Sequence, residues 1–145
     1  MNQATTFDPV RYKTTTRAQW ESAAEPWHRW GPLLEAWLGP ATETMFDMTG
    51  IQTGSRVLDV AAGAGGQSLA AAKRVGATGR VLATDLSPAI LDFAAGLARE
   101  AGIGNLETLE LDGERLDELD AESFDAVISR VGMIYFPDQQ KALAG

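Results

Sequence analysis

The stretch VLDVAAGAGGQSLAAA, residues 57–72, constrains the fold of this chain more than any other segment. An apolar, β-type run ends in Gly63, Gly65 and Gly66, and a helical pattern begins directly after them. Missing side chains at such a junction let the backbone approach a ligand, and the free N–H groups of the following helix face an anionic or polar group. The run 56–60 is introduced by the turn residues Thr53, Gly54 and Ser55, and the helix predicted over 67–75 stops at Gly76. A second strand is predicted over 80–84. It leads through Asp85 to Ser87 and Pro88, a cap and first-turn proline that open a helix running to 101. Further strands are predicted over 106–111 and 124–129. Strands alternating with helices imply a parallel sheet with right-handed crossovers, an α/β fold.

Residues 1–50 have a different texture. All four tryptophans, Trp20, Trp27, Trp30 and Trp37, lie there, punctuated by Pro26, Gly31–Pro32 and Gly39–Pro40. The punctuation predicts short helices over 17–24, 27–38 and 41–49, with Gly50 as a stop. The expected organisation is therefore a helical cap over 1–50 and an α/β unit over 51–145. Trp27, Trp30 and Trp37 share helical spacing with Leu33 and Leu34, which assigns them first to packing the cap onto the sheet. His28, among aromatic neighbours, reads as a structural histidine.

Composition narrows the chemistry. A length of 145 residues suits one core, and no long uncharged apolar run or signal-type start is present, so a cytoplasmic protein without a membrane span is expected. The formal charge of −8 disfavours nucleic-acid phosphates and anionic lipid as partners. With no cysteine and one histidine, the sequence offers no thiolate nucleophile and no metal cluster. The nine carboxylates from Glu107 to Asp125 face one base, Arg115, and read as a solvated surface.

A nucleotide-type cofactor is the expected ligand. Asp85 falls 22 residues beyond Gly63, the spacing at which an acid at the end of a second strand accepts ribose hydroxyls. A dinucleotide fits imperfectly, because Ser68 stands where its fingerprint has a third glycine. Asp59 would repel a pyrophosphate and suits a cofactor bearing ammonium or sulfonium charge.

On these residues the chain resembles the class I S-adenosylmethionine-dependent methyltransferases, in the group that includes the ubiquinone and menaquinone biosynthesis enzymes. DVAAGAG is similar to that family's acid-x-glycine-x-glycine-x-glycine loop, with Ala61 in place of the first glycine. The resemblance implies a Rossmann-like sheet of strand order 3-2-1-4-5-7-6, here truncated after the fourth strand and carrying an N-terminal helical cap. It implies S-adenosylmethionine as cofactor, with Asp59 orienting the methionine end, Ala61, Gly63 and Gly65 lining it, Asp85 on the ribose and Leu86 flanking the adenine. Asp112 and Gly113 resemble the adenine site, and Ser129 and Arg130 stand where a backbone carbonyl meets the ammonium. Tyr12, Trp20 or Trp27 would supply a lid in the sharper reading of the cap. The activity implied is methyl transfer to a small-molecule acceptor, such as a quinone precursor or other aromatic metabolite, with no catalytic base named by the sequence. A cofactor-binding module without turnover and an NAD-binding oxidoreductase fragment are the alternatives. If the chain is complete rather than truncated, its open apolar edge at 124–129 is expected to be covered in a homodimer or domain-swapped assembly.

Overall fold

The computed structural model describes residues 6–145. Its first helix, α1 (Pro9–Arg29), starts where Asp8 caps it: the carboxylate accepts from the amides of Val10 at 3.0 Å and Arg11 at 3.1 Å, and Pro9 takes the first turn. A second helix, α2 (Gly31–Thr49), follows a break at Trp30 and ends at Gly50, whose φ of 69° is the left-handed geometry of a helix stop. The three short helices predicted for the cap are thus two long ones. Pro26 and Pro40 lie inside them rather than at their ends. A proline removes one N–H but keeps a helical φ, so tertiary packing can carry the helix across it. Phe46, fully buried, and Thr42 supply that packing beyond Pro40.

The sheet is parallel, in the order β3-β2-β1-β4, from β1 (Arg56–Val60), β2 (Arg80–Asp85), β3 (Leu106–Glu110) and β4 (Ala126–Ile128). Register places Val57 of β1 between Val81 and Ala126. The predicted fourth strand is therefore shortened at both ends, and β4 forms one edge, with Val127 half exposed on it. Helices α3 (Gly66–Val75) and α4 (Pro88–Glu100) are the crossovers, and α5 (Gln139–Ala144) ends the chain.

Alternation along the strands gives each face its own core. Val57, Val81, Ala126 and Ile128 pack with Ala71 and Val75 of α3 and with Phe46 and Ile51. On the opposite face Leu58 and Val60 meet Leu111, Leu116 and the half-buried Phe124 and Phe136. A third cluster joins α1 to α4 through Ala24, Trp20, Ile90 and Phe93, and the His28 ring stacks on Phe93 at 4.5 Å. His28 thus has the packing role read from its neighbours. Among the described residues, no helix is long and apolar enough to cross a membrane.

Candidate functional site

β1 leads to β2 on one side and has β4 on the other, so the loops leaving β1 and β4 diverge above the carboxyl end of the sheet. A crevice opens at such a reversal of strand order. The turn leaving β1 is wound left-handed at alternate residues: Ala61 at φ 56°, Gly63 at 61° and Gly65 at 87°. Glycine adopts this geometry freely, whereas Ala61 is strained by its Cβ. Ala61→Gly is accordingly expected to stabilise the fold by about 1 kcal/mol, read as a raised midpoint in urea unfolding.

Two acids hold the turn. Asp59 is fully buried beneath it and accepts from Ser68 Oγ at 2.5 Å and from Gln67 Nε2 at 3.3 Å, both on the first turn of α3. Burial pushes its pKa up to about 7; Ser68, Gln67 and the Arg130 charge work against that shift, and Asp85 works with it. Asp85 joins the ends of β1 and β2: Oδ2 accepts from the Gly63 amide at 3.0 Å and Oδ1 from the Ser87 amide at 3.0 Å. Its pKa is raised by burial, against the pull of these amides. A carboxylate has about four lone-pair sites, so Asp85 keeps room for a further donor beside these amides.

The crevice encloses about 180 Å3. Ala61, Gly63, Asp85, Leu86, Gly113 and Arg130, all expected from the sequence, lie on its wall. Asp59 and Gly65 stand behind it, and Asp112 is turned to α1. Lys13 Nζ donates to Asp112 at 2.6 Å and to Glu114 at 2.7 Å. Burial works against the Lys13 charge, but these two bonds outweigh it and raise its pKa. Glu114 is itself buried and also accepts from the Asp138 amide, so the acidic stretch is not solvated throughout.

The cap supplies the remaining wall. Trp20, Trp27 and Trp37 face the crevice with Tyr135 and Phe136, whereas Tyr12 packs on Phe7 away from it; Trp30, Leu33 and Trp37 are mostly exposed and do not pack the cap onto the sheet as their spacing suggested, because their stripe of α2 faces solvent. Trp20 meets Trp27 and Tyr135 edge-on, with ring centroids 5.1 and 5.4 Å apart. A Cβ on Gly63 would lie 3.4 Å from Trp27 Nε1, which places this tryptophan over the turn. Sequence reasoning missed Gln67, which links Asp59 to the wall; its signal was the polar residue on the first turn of α3. It also missed Tyr135 and Phe136, which carry no spacing signature.

Comparison with known proteins bears on the same segment. A methyltransferase domain family matches residues 57–145, which runs from β1 through the glycine turn to the end of the chain. The chain belongs to the class I S-adenosylmethionine-dependent methyltransferases. Aklanonic acid methyltransferase DauC of Streptomyces sp. (strain C5) is 34% identical over 105 residues, covering 72% of this chain and 47% of DauC. The ubiquinone/menaquinone biosynthesis C-methyltransferase UbiE of Idiomarina loihiensis is 35% identical over 98 residues, covering 67% of this chain and 39% of UbiE. A crystal structure of a SAM-dependent methyltransferase from Aquifex aeolicus superposes with a TM-score of 0.65 at 25% identity, over 71% of this chain and 54% of that one. The chain spans less than half the length of the curated relatives it matches, 38% to 47% of each.

The cofactor of this methyltransferase family is S-adenosylmethionine, and the crevice suits it chemically. Asp85 offers acceptors for hydroxyl groups beside a turn free of side chains at Gly63. Leu86 and Leu111 give apolar walls for a flat base, and Gly113 has no room for a Cβ, which would fall 2.5 Å from Phe136 Cζ. The buried Ser129 hydroxyl has no hydrogen-bond partner among the described residues. Asp59 and Asp85 together suit a ligand with cationic groups.

Proposed function

We propose that this methyltransferase chain binds S-adenosylmethionine in the crevice and serves methyl transfer to a small, flat, apolar acceptor, a quinone precursor or other aromatic metabolite, in a cytoplasmic setting. The observation that carries the reading is Asp85, which sits at the end of β2 and is bonded to the Gly63 amide of the turn after β1. One carboxylate thereby fixes the backbone that approaches the cofactor and presents acceptors to its ribose.

When bound, the cofactor supplies a methyl group activated on a sulfonium centre. Gly63 and Ala61 line its path, Leu86 flanks the base and Gly113 leaves space for it. The charge of Asp59, one layer below, favours cationic groups above the turn. Residues 1–50 act as the cap and residues 51–145 as the cofactor-binding half: Trp20 and Trp27 lay an aromatic wall over the turn that excludes water and stacks with a flat acceptor, with the exposed Trp37 at its rim. Of the charged side chains on the described wall, Arg130 is committed to Glu35 and Thr42, and Asp85 to the turn amides and the ribose. Catalysis then rests on alignment and desolvation, and an acceptor with an acidic enol or phenol meets that arrangement without a protein base.

Titration calorimetry with S-adenosylhomocysteine tests this. Binding is expected for the wild type, and NAD should fail to compete. Asp85→Ala removes charge-assisted bonds to the ribose and should weaken binding by about 2–3 kcal/mol, roughly a hundredfold in Kd. Equal affinity in the variant would remove the ribose role, and no binding by the wild type would remove the reading as a whole.

A further inference from the structure

We propose that Glu35 and Thr42 of α2 are positioning residues of the crevice, which act through Arg130 to hold residues 129–132 in the strained form that shapes its wall. The inference rests on the reading of the crevice as a cofactor site. Arg130 leaves the sheet just after β4 and reaches across to the cap. Its Nη1 donates to Glu35 Oε2 at 3.0 Å and to Thr42 Oγ1 at 2.8 Å, and its Nη2 donates to Glu35 Oε1 at 2.6 Å. The pairing is bidentate, and only 12% of the Arg130 side chain is exposed. Thr42 is buried and donates its hydroxyl hydrogen bond to the Leu38 carbonyl, so its oxygen is oriented to accept.

The next residue along the loop is strained. Val131 has a φ of 66°, a conformation in which a β-branched residue is a rare outlier. Its side chain is half exposed, so packing of that side chain does not hold it there. Gly132 follows against the turn after β1: a Cβ added to it would fall 2.5 Å from Ala61 Cβ and 2.9 Å from Ser129 Oγ. The loop therefore meets the cap through the Arg130 clasp on one side and the glycine turn on the other. Strained backbone persists where its surroundings over-determine it. Arg130, Val131 and Gly132 all line the crevice with Ala61. Cap position and wall shape are thus coupled through the Arg130 guanidinium, beside the direct approach of the Glu35 carboxylate to Gly66, where an added Cβ would fall 2.1 Å from Oε1.

The test is a double-mutant cycle on the full chain, with S-adenosylhomocysteine affinity by calorimetry and amide exchange at 130–132 as readouts. Glu35→Gln keeps shape and the Thr42 bond but loses the ionic clasp, and should raise Kd by about tenfold and speed exchange in the loop. Val131→Gly makes the left-handed conformation unstrained and sets its own baseline; on that background Glu35→Gln should cost less than about threefold. A clasp that only supports the fold would cost the same on both backgrounds. Equal losses on the two backgrounds, or no loss in Glu35→Gln, overturn the proposal. Should Glu35→Gln fail to fold, Thr42→Val carries the same cycle, with an expected loss of about threefold that Val131→Gly removes. If the wild type does not bind S-adenosylhomocysteine, the cofactor reading falls, and loop exchange in Glu35→Gln still decides the clasp: unchanged exchange overturns it.

Discussion

Asp59→Asn is expected to make the folded chain more stable at pH 8 while weakening its hold on a cationic cofactor. Asp59 is fully buried, and burial raises its pKa from 3.8 to about 7. Between those values the folded chain keeps a proton that the unfolded chain has released, so the folded state binds more protons and stability falls as pH rises. The fall begins near pH 4 and levels off above pH 7. A gap of about three pH units corresponds to about 4 kcal/mol at 1.36 kcal/mol per unit. Asparagine keeps the shape and carries no charge, and Ser68 can turn its hydroxyl to suit the amide, so this loss disappears from the variant.

Urea unfolding at pH 5 and pH 8 reads the effect. The wild type should lose stability over this interval, and Asp59→Asn should be much flatter; Asp85, whose pKa is also raised by burial, acts with the same sign. Asp125 does not disturb the comparison. Its bonds to Arg56 lower its pKa to about 2, so its stabilisation is lost only as pH falls from 3.8 towards that value. A wild type that gains stability from pH 5 to pH 8, with the variant following it, would show that Asp59 is ionised at little cost. The price of the charge is then a functional one: S-adenosylhomocysteine and S-adenosylmethionine should both bind the variant more weakly, the sulfonium form losing more.

Gly65→Ala is expected to destabilise the chain by about 3 kcal/mol, the sum of a left-handed alanine and an overpacked contact. Gly65 has a φ of 87°, and a Cβ there would sit 2.5 Å from Ala94 Cβ and 2.9 Å from Ala94 Cα. Both atoms belong to α4, whose backbone cannot give as a flexible side chain would. Ala94→Gly in the same chain should recover the steric part and leave the conformational part. Gly96, in the same helix, provides the opposite sign: a Cβ there meets only the far end of Arg99 at 3.8 Å, and Gly96→Ala should stabilise by about 0.5–1 kcal/mol. Thermal unfolding of the three variants orders them; a Gly65→Ala chain that melts with the wild type would show that the α3–α4 approach is looser than these distances.

The glycine turn and the acid at the end of β2 were legible because their signals are local. Strand-to-turn-to-helix punctuation, the Ser87–Pro88 cap and the spacing from Gly63 to Asp85 are set by backbone chemistry within a few residues. The cap helices were less legible. Proline and glycine were read as boundaries, yet Pro26 and Pro40 lie inside helices whose lengths are decided by what they pack on, and the start at Asp8–Pro9 was a cap signal that went unread.

Asp112 and Arg130 show the same limit at the site. Each was named from its place after a strand, but the direction of each side chain depends on a partner far away in the chain: Lys13, 99 residues from Asp112, and Glu35, 95 residues from Arg130. The amino-acid sequence by itself determined the parallel α/β sheet, the glycine-rich turn and the two acids near it, because periodicity, turn chemistry and helix capping act over one or two turns of chain. Only the tertiary structure decided which aromatic residues close the crevice and which charges clasp the cap to it, because an ion pair or a ring contact exists only once distant segments share a surface.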